Sequence, residues 1–283
     1  MAVIRAFALA LLAALLPGAA VAEKPERIVS MNLCADQLVM LLADRTRIAS
    51  VSYLAADSRA STLAREAEGL HLNHGLAEEI LPLDPDLVIA GAFTTRPTVF
   101  LLRKLGYRVI DLPVEDDLDD IRANMRRVAE AVGEPARGEA MVAAFDARLA
   151  AAVRENAGPG PRVALYWANG FTSGAGTLAD AIVTAAGLRN LAAELGVSGT
   201  GQLPLETLMA AEPDALVMGR ARDGAALANE TFRHPALARR FTAHPKLRIA
   251  DKHWICGTPS VASAIERLSA FRSEIERGDT AGH

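Results

Sequence analysis

The chain reads as an α/β protein: two Rossmann-like α/β lobes joined by a single long α-helix. Three observations predict this. Strand-like apolar runs alternate with helix-length amphipathic segments in both halves, the pattern of parallel sheets covered on both faces. A helical middle separates the halves. Finally, one segment occurs twice: residues 78–91, EEILPLDPDLVIAG, are echoed by residues 206–219, ETLMAAEPDALVMG. Aligning the Pro-Asp pairs puts Glu78 over Glu206 and Gly91 over Gly219. Each copy reads as a short helix, a Pro-Asp turn and a buried strand. Each lobe therefore presents a glutamate at the same place.

The elements follow in order. Arg5, an apolar run over 6–16, the break at Pro17-Gly18 and the small residues Ala20-Val21-Ala22 have the form of an export leader, expected to be cleaved after Ala22. An uncleaved N-terminal anchor is the competing reading. Cleavage removes one charged residue, Arg5, and takes the formal charge from −4 to −5. The N-terminal lobe is expected over 23–133. Its strands are predicted at 27–31, 48–52, 87–90 and 109–112, with helices at 35–42 and 98–105. Asp119 or Asp120 can cap a helix carrying Ile121, Met125, Val128 and Val132 on one face, stopped by Gly133. The linking helix is expected over 134–157, opening at Pro135, carrying Met141, Phe145, Leu149 and Val153, and closed by Gly158-Pro159-Gly160-Pro161. The C-terminal lobe, 158–283, restarts the pattern with strands at 163–166, 215–218 and 247–250, and helices at 178–186 and 261–275.

Composition narrows the function. The hydrophobic fraction of 51% is inflated by the leader, and no later apolar run is long enough to cross a membrane. Mild acidity argues against nucleic acid as a partner. The expected destination is a periplasm, and the expected form a monomer.

Enzyme templates fit poorly. Residues 170–177, GFTSGAGT, lack the Gly-Lys-Ser/Thr ending of a phosphate loop and the G-x-S-x-G spacing of a nucleophile elbow. They read as a strand-to-helix turn whose N–H groups open the helix at Leu178, suited to a polar ligand group. His71 and His74, flanking Asn73, form a weak H-x-x-H metal pattern in an apparent loop. Aromatic placement is more informative. Of two tryptophans and three tyrosines, Tyr53, Tyr166, Trp167 and Trp254 follow strands, with Phe171 just beyond Trp167. Ligands of open α/β sheets bind at the carboxyl ends of the strands, and flat aromatic walls suit a bulky ligand. Arg96 sits past the strand ending at Gly91, where it can meet an anionic group. Cys34 follows the first strand and Cys256 the last. A disulfide across the lobes, two free thiols and a thiolate touching a bound metal all remain open. The disulfide would restrict access to the cleft.

Taken together, Arg27-Ile28-Val29-Ser30, the Glu-to-Pro-Asp-Leu-Val-Ile segment, Phe171-Thr172-Ser173-Gly174 and Thr258-Pro259-Ser260 resemble the periplasmic substrate-binding proteins of ABC importers for iron chelates and vitamin B12. The resemblance covers nearly all of the chain after the leader. It implies that Glu78 and Glu206 dock onto arginines of a membrane permease. It also implies that Tyr53, Phe171 and the Trp254 loop line the ligand. Asn32, Cys34, Tyr53, His71, Asn73, His74, Arg96, Tyr166, Trp167, Phe171, Thr172, Trp254 and Cys256 form the expected ligand-facing set. Cys256 and the run from Asn32 to Gln37 depart from the family pattern. The implied ligand is a corrinoid first, a ferric siderophore or haem next. No cofactor is expected, since ATP is hydrolysed by a separate subunit. A periplasmic metal or haem chaperone and a thiol- or metal-dependent enzyme are the alternatives.

Overall fold

A computed structural model describes residues 24–152, 159–219, 234–241 and 245–278. The first sheet contains β1 (Ile28–Ser30), β2 (Ile48–Ser52), β3 (Leu72–Asn73), β4 (Leu87–Gly91) and β5 (Val109–Leu112). Its order is β3-β2-β1-β4-β5 and every pair is parallel. The chain crosses from β1 to β2 through α1 (Leu33–Leu42), reaches β4 through α2 (Ala77–Ile80), and reaches β5 through α3 (Arg96–Lys104). Strands β1 and β4 are buried almost throughout, as expected for strands with helices on both faces. Three of their apolar residues, Ile28, Leu87 and Ile89, meet α1 in the core.

The second sheet contains β6 (Arg162–Tyr166), β8 (Arg189–Asn190), β10 (Ala215–Met218) and β11 (Lys246–Arg248), in the order β11-β10-β6-β8 and again parallel. A two-stranded antiparallel sheet, β7 (Phe171–Ser173) with β9 (Thr200–Gln202), stands beside it. The helices of this lobe are α6 (Leu178–Ala185), α7 (Leu191–Glu194), α8 (Leu205–Ala210) and α9 (Pro235–Arg240).

Between the lobes run α4 (Leu118–Ala131) and α5 (Pro135–Ala152), with α10 (Val261–Arg277) returning from the C-terminal side. The 18 residues of α5 span about 27 Å. Phe145 and Leu149 on its buried face join Met125 and Val128 of α4 and Ile265 and Leu268 of α10 in one apolar cluster, which also contains Ile28 of the first sheet and Val163 of the second. Arg148 of α5 holds Glu266 of α10 through two 2.9 Å bonds. A hinge between the lobes would have to shear this shared core. The expected end of the linking helix, including Val153, lies outside the described residues.

Several local expectations are corrected. Asp117, not Asp119 or Asp120, caps α4: its Oδ1 accepts from the N–H groups of both, at 2.8 and 2.9 Å. Residues 72–73, expected as loop, add a parallel edge strand to β2. The Gly-rich segment is a strand before it is a turn. Phe171–Ser173 pair with a partner nearly thirty residues on, and only then does Thr177 cap α6. The last parallel strand is Lys246–Arg248, earlier than the expected 247–250.

Candidate ligand cleft and docking helices

The two copies of the repeated segment occupy equivalent places. In each lobe the strand following the Pro-Asp turn pairs with the lobe's first strand: Ile28 with Leu87, and Val163 with Ala215. In each, the glycine ending the repeat meets a residue one or two positions past the first strand. A Cβ on Gly91 would lie 2.8 Å from Asn32 Cγ, and one on Gly219 would lie 3.1 Å from Trp167 Cε3. These glycines let a side chain lie across the carboxyl ends of the central strands. In the first sheet this is the switch between β1 and β4, where chain order reverses and α/β proteins bind ligands.

Two cavities open there. One of about 480 Å³ is lined by Trp167, Ser173, Thr177, Thr200, Asp251 and Trp254, among others. A smaller one of about 130 Å³ lies between the lobes, with Asn32, Cys34, Phe93 and Glu115 on one side and Leu178, Trp254 and Ile255 on the other. Trp254 and Ile255 border both. Trp167 and Trp254 meet edge to face, centroids 4.9 Å apart at 88°, the favoured geometry for aromatic pairs. Trp167 Nε1 donates to Ser173 Oγ at 3.4 Å.

The cysteines are joined. Cys34 and Cys256 form a disulfide with Cα atoms 5.1 Å apart, tying the start of α1 to the loop after β11 at the edge of the cleft. The free-thiol and metal-thiolate readings are thereby overturned. Beside it, Glu115 accepts from Asn124 Nδ2 at 2.6 Å. Burial pushes its carboxyl above the usual range, opposed by hydrogen bonds from Asn124 and from the backbone of Gly257. Lys252 adds a further cross-lobe bond to the carbonyl of Ser58, at 3.3 Å.

The expected ligand-facing residues divide into three groups. Trp167, Trp254, Asn32 and Cys34 line the cavities, although Asn32 also uses its Oδ1 to cap α1 through Cys34 N at 3.0 Å. Tyr53, His71, His74, Arg96 and Phe171 are exposed and line neither cavity. Within that group Tyr53 stacks on His74 at 4.9 Å, and His74 Nδ1 lies 2.9 Å from Glu79 Oε1. The third group turns inward and is removed from the ligand-facing set. Asn73 is fully buried and donates to Ser30 O and Ser50 Oγ at 2.9 and 2.8 Å. Thr172 is fully buried and donates to Leu165 O at 2.7 Å. Tyr166 is 1% exposed, packed with Leu203 and Leu208, and Cys256 is also buried. Alternation along a strand explains Tyr166 and Thr172: each faces the sheet opposite to its cleft-side neighbour.

Sequence reasoning missed Phe93, Glu115, Asp251 and Ile255. Phe93 is 87% exposed. All four follow the ends of β4, β5 or β11, so the carboxyl-end rule that found the tryptophans applies to them equally.

Glu78 and Glu206 lie in the first turns of α2 and α8, and both side chains are exposed. Two residues on, the aligned Ile80 and Leu208 are fully buried. Each glutamate thus stands on a short helix seated on the core by a buried apolar residue, with partly buried neighbours beside it.

A two-lobed α/β protein with an aromatic cleft and no helix able to cross a membrane among its described residues has the form of a solute-binding protein. The family model described as periplasmic binding protein matches residues 28–250, and the chain belongs to that family. A cobalamin-binding protein of Halobacterium salinarum is 29% identical over 205 residues, which cover 71% of this chain and 56% of the relative. The chain thus spans little more than half the length of the curated relatives it matches. Among solved structures, the periplasmic heme-binding protein RhuT from Roseiflexus sp. RS-1 is 25% identical with a TM-score of 0.73, covering 88% of this chain and 98% of that one. A periplasmic heme-binding protein from Pseudomonas aeruginosa is 26% identical with a TM-score of 0.70, covering 88% and 93%. The periplasmic vitamin B12 binding protein BtuF of Vibrio cholerae shares the fold, with 20% identity, a TM-score of 0.69, and coverage of 90% and 99%.

Proposed function

We propose that this chain is the substrate-binding component of an ABC importer. It captures a metal chelate in the cleft between its lobes and hands it to a membrane permease that reads Glu78 and Glu206. The Trp167–Trp254 pair walling a cavity at the strand ends carries this reading. Such a wall suits a large flat ligand held by dispersion and a few polar groups. A corrinoid is the first choice, supported by the cobalamin-binding relative. Haem is the second, supported by the two heme-binding neighbours. The protein acts in the periplasm as a monomer and performs no bond chemistry. A thiol-dependent catalyst loses its nucleophile, because both cysteines are in the disulfide.

Docking through two carboxylates sets orientation and association rate more than affinity, since exposed ion pairs contribute roughly 0–1 kcal/mol each. Reversing both charges, Glu78→Arg with Glu206→Arg, is expected to abolish uptake of labelled cyanocobalamin in cells whose own copy of the gene is deleted, while purified protein binds ligand as before. Undiminished uptake by that double variant removes the importer reading.

A further inference from the structure

The repeat carries a second shared feature that its sequence does not announce. Among the described residues only three non-glycine residues have positive φ, and two are aligned: Asp84 at 41° and Glu212 at 46°. Each ends the turn after a docking helix and precedes a proline, which disfavours the right-handed helical region for the residue before it. Left-handed backbone is unfavourable at a residue with a side chain, because Cβ crowds the following carbonyl oxygen, so something must hold these turns.

In both lobes the holder is an arginine at the start of the first strand. Arg27 donates through Nε to the carbonyl of Asp84, and its Nη2 meets the Asp84 carboxylate at 3.2 Å. Arg162 donates through Nη2 to the carbonyls of Ala211 and of Glu212, the latter at 3.1 Å. The aspartate after each proline closes the loop from the other side. Asp86 accepts from the N–H groups of Glu26 and Arg27 at 2.7 and 3.0 Å, and Asp214 accepts from that of Arg162 at 2.7 Å. The backbones return the contact: Asp86 N donates to Arg27 O, and Asp214 N to Arg162 O.

We propose that Arg27 and Arg162 are positioning residues for permease docking. Helices α2 and α8 have four and six residues, too few to fix their own orientation. Ile80 or Leu208 seats each helix on the core, with Leu81 and Leu83, or Leu205 and Ala211, packed beside it. The arginine fork fixes the turn that follows, and so fixes where Glu78 and Glu206 point. A partner that reads both lobes at once needs both forks intact. The proposal rests on the importer reading but concerns different residues.

The test uses full-length exported protein carrying Arg27→Ala and Arg162→Ala, singly and together, beside the Glu78→Arg/Glu206→Arg double variant. Labelled cyanocobalamin is the uptake probe, and binding of the same probe by purified protein is measured in parallel. The double alanine variant is expected to lose uptake at least tenfold with its Kd changed less than twofold. Hydrogen exchange in residues 77–84 and 205–212 should quicken at least fivefold, with the central strands unchanged. Arg27→Lys with Arg162→Lys keeps the charge but not the fork, and is expected to restore uptake only partly. Full uptake by the alanine double, where the charge reversal abolishes it, overturns the clamp and leaves the importer reading standing. Full rescue by lysine, or unchanged exchange at both helices, also overturns it. If alanine and lysine variants alike fail to fold, the arginines serve the whole fold and the proposal is wrong. Normal uptake by the charge-reversal variant points instead to failure of the underlying reading.

Discussion

Replacing Cys34 and Cys256 together by serine is expected to lower stability by up to roughly 5 kcal/mol, the chain-entropy value for a cross-link closing a loop of more than two hundred residues. The disulfide spans 222 positions of sequence, so the unfolded chain gains most of its freedom when the bond is cut. For a protein of this size the loss corresponds to a Tm lower by roughly 10 °C or more. Reductant should bring the wild type to the Tm of the variant and leave the variant unmoved. The variant should still fold, because the lobes share the apolar cluster of α4, α5 and α10. What changes is the cleft. With Cys34 and Cys256 parted, Glu115 against Gly257 and Lys252 on Ser58 are among the cross-lobe ties that remain beside it. Ligand release from the variant is therefore expected to quicken. Equal Tm values for wild type and variant, with and without reductant, would contradict this account of what holds the lobes together.

A second large effect is expected from Asp36→Asn, and it depends on pH. Asp36 is fully buried under the first turn of α1, where Ser52 gives it both its N–H, at 3.1 Å, and its hydroxyl. Burial pushes its pKa from 3.8 up to about 7, against the hydrogen bonds from Ser52. The folded state therefore holds this proton more tightly than the unfolded chain. Below about pH 4 both states are protonated and there is no penalty. As pH rises from about 4 to about 7 the unfolded chain ionises first, and this group's contribution to stability falls. The full penalty, present above pH 7, is on the order of 4 kcal/mol at ~1.4 kcal/mol per pKa unit. Asparagine can still accept from the Ser52 N–H and can donate to the Ser52 hydroxyl, without a charge. Denaturant unfolding across pH should therefore show the variant matching wild type near pH 4 and exceeding it increasingly toward pH 8. A gap that stays constant with pH, or one that widens toward acid, contradicts the assignment.

The sequence revealed the architecture because its signals were long or repeated. The amphipathic faces of α4, α5 and α10 each run over three or more turns, and the central strands are short continuous apolar runs bounded by turn residues. The duplicated segment was legible as residues, but the reason for its regularity was not. The positive φ of Asp84 and Glu212 and the arginines that hold them involve partners fifty or more positions away. The two-residue strand at Leu72–Asn73 and the antiparallel pairing of Phe171–Ser173 with Thr200–Gln202 were hidden for a similar reason. They are too short to show a period, and their pairing is set by tertiary placement. In the site, position after a strand found Trp167 and Trp254 but could not tell which way a side chain turns. Tyr166 and Trp167 are adjacent, yet the first is core and the second cleft wall. The cysteine pair could not be resolved from residues 222 positions apart until the fold brought their Cα atoms to 5.1 Å.

The central claim is that a metal chelate sits in the cleft against Trp167 and Trp254, which wall it on the side of the C-terminal lobe. The most direct measurement is a tryptophan fluorescence titration of the purified protein, since these two residues are the only tryptophans in the chain. Cyanocobalamin, haem and a panel of ferric siderophores would be compared, each corrected for inner-filter absorbance. The account predicts saturable quenching at micromolar concentration or below by one of them, cyanocobalamin before the others, with affinity falling at least tenfold on Trp254→Ala. Absence of saturable quenching by every member of the panel would contradict it.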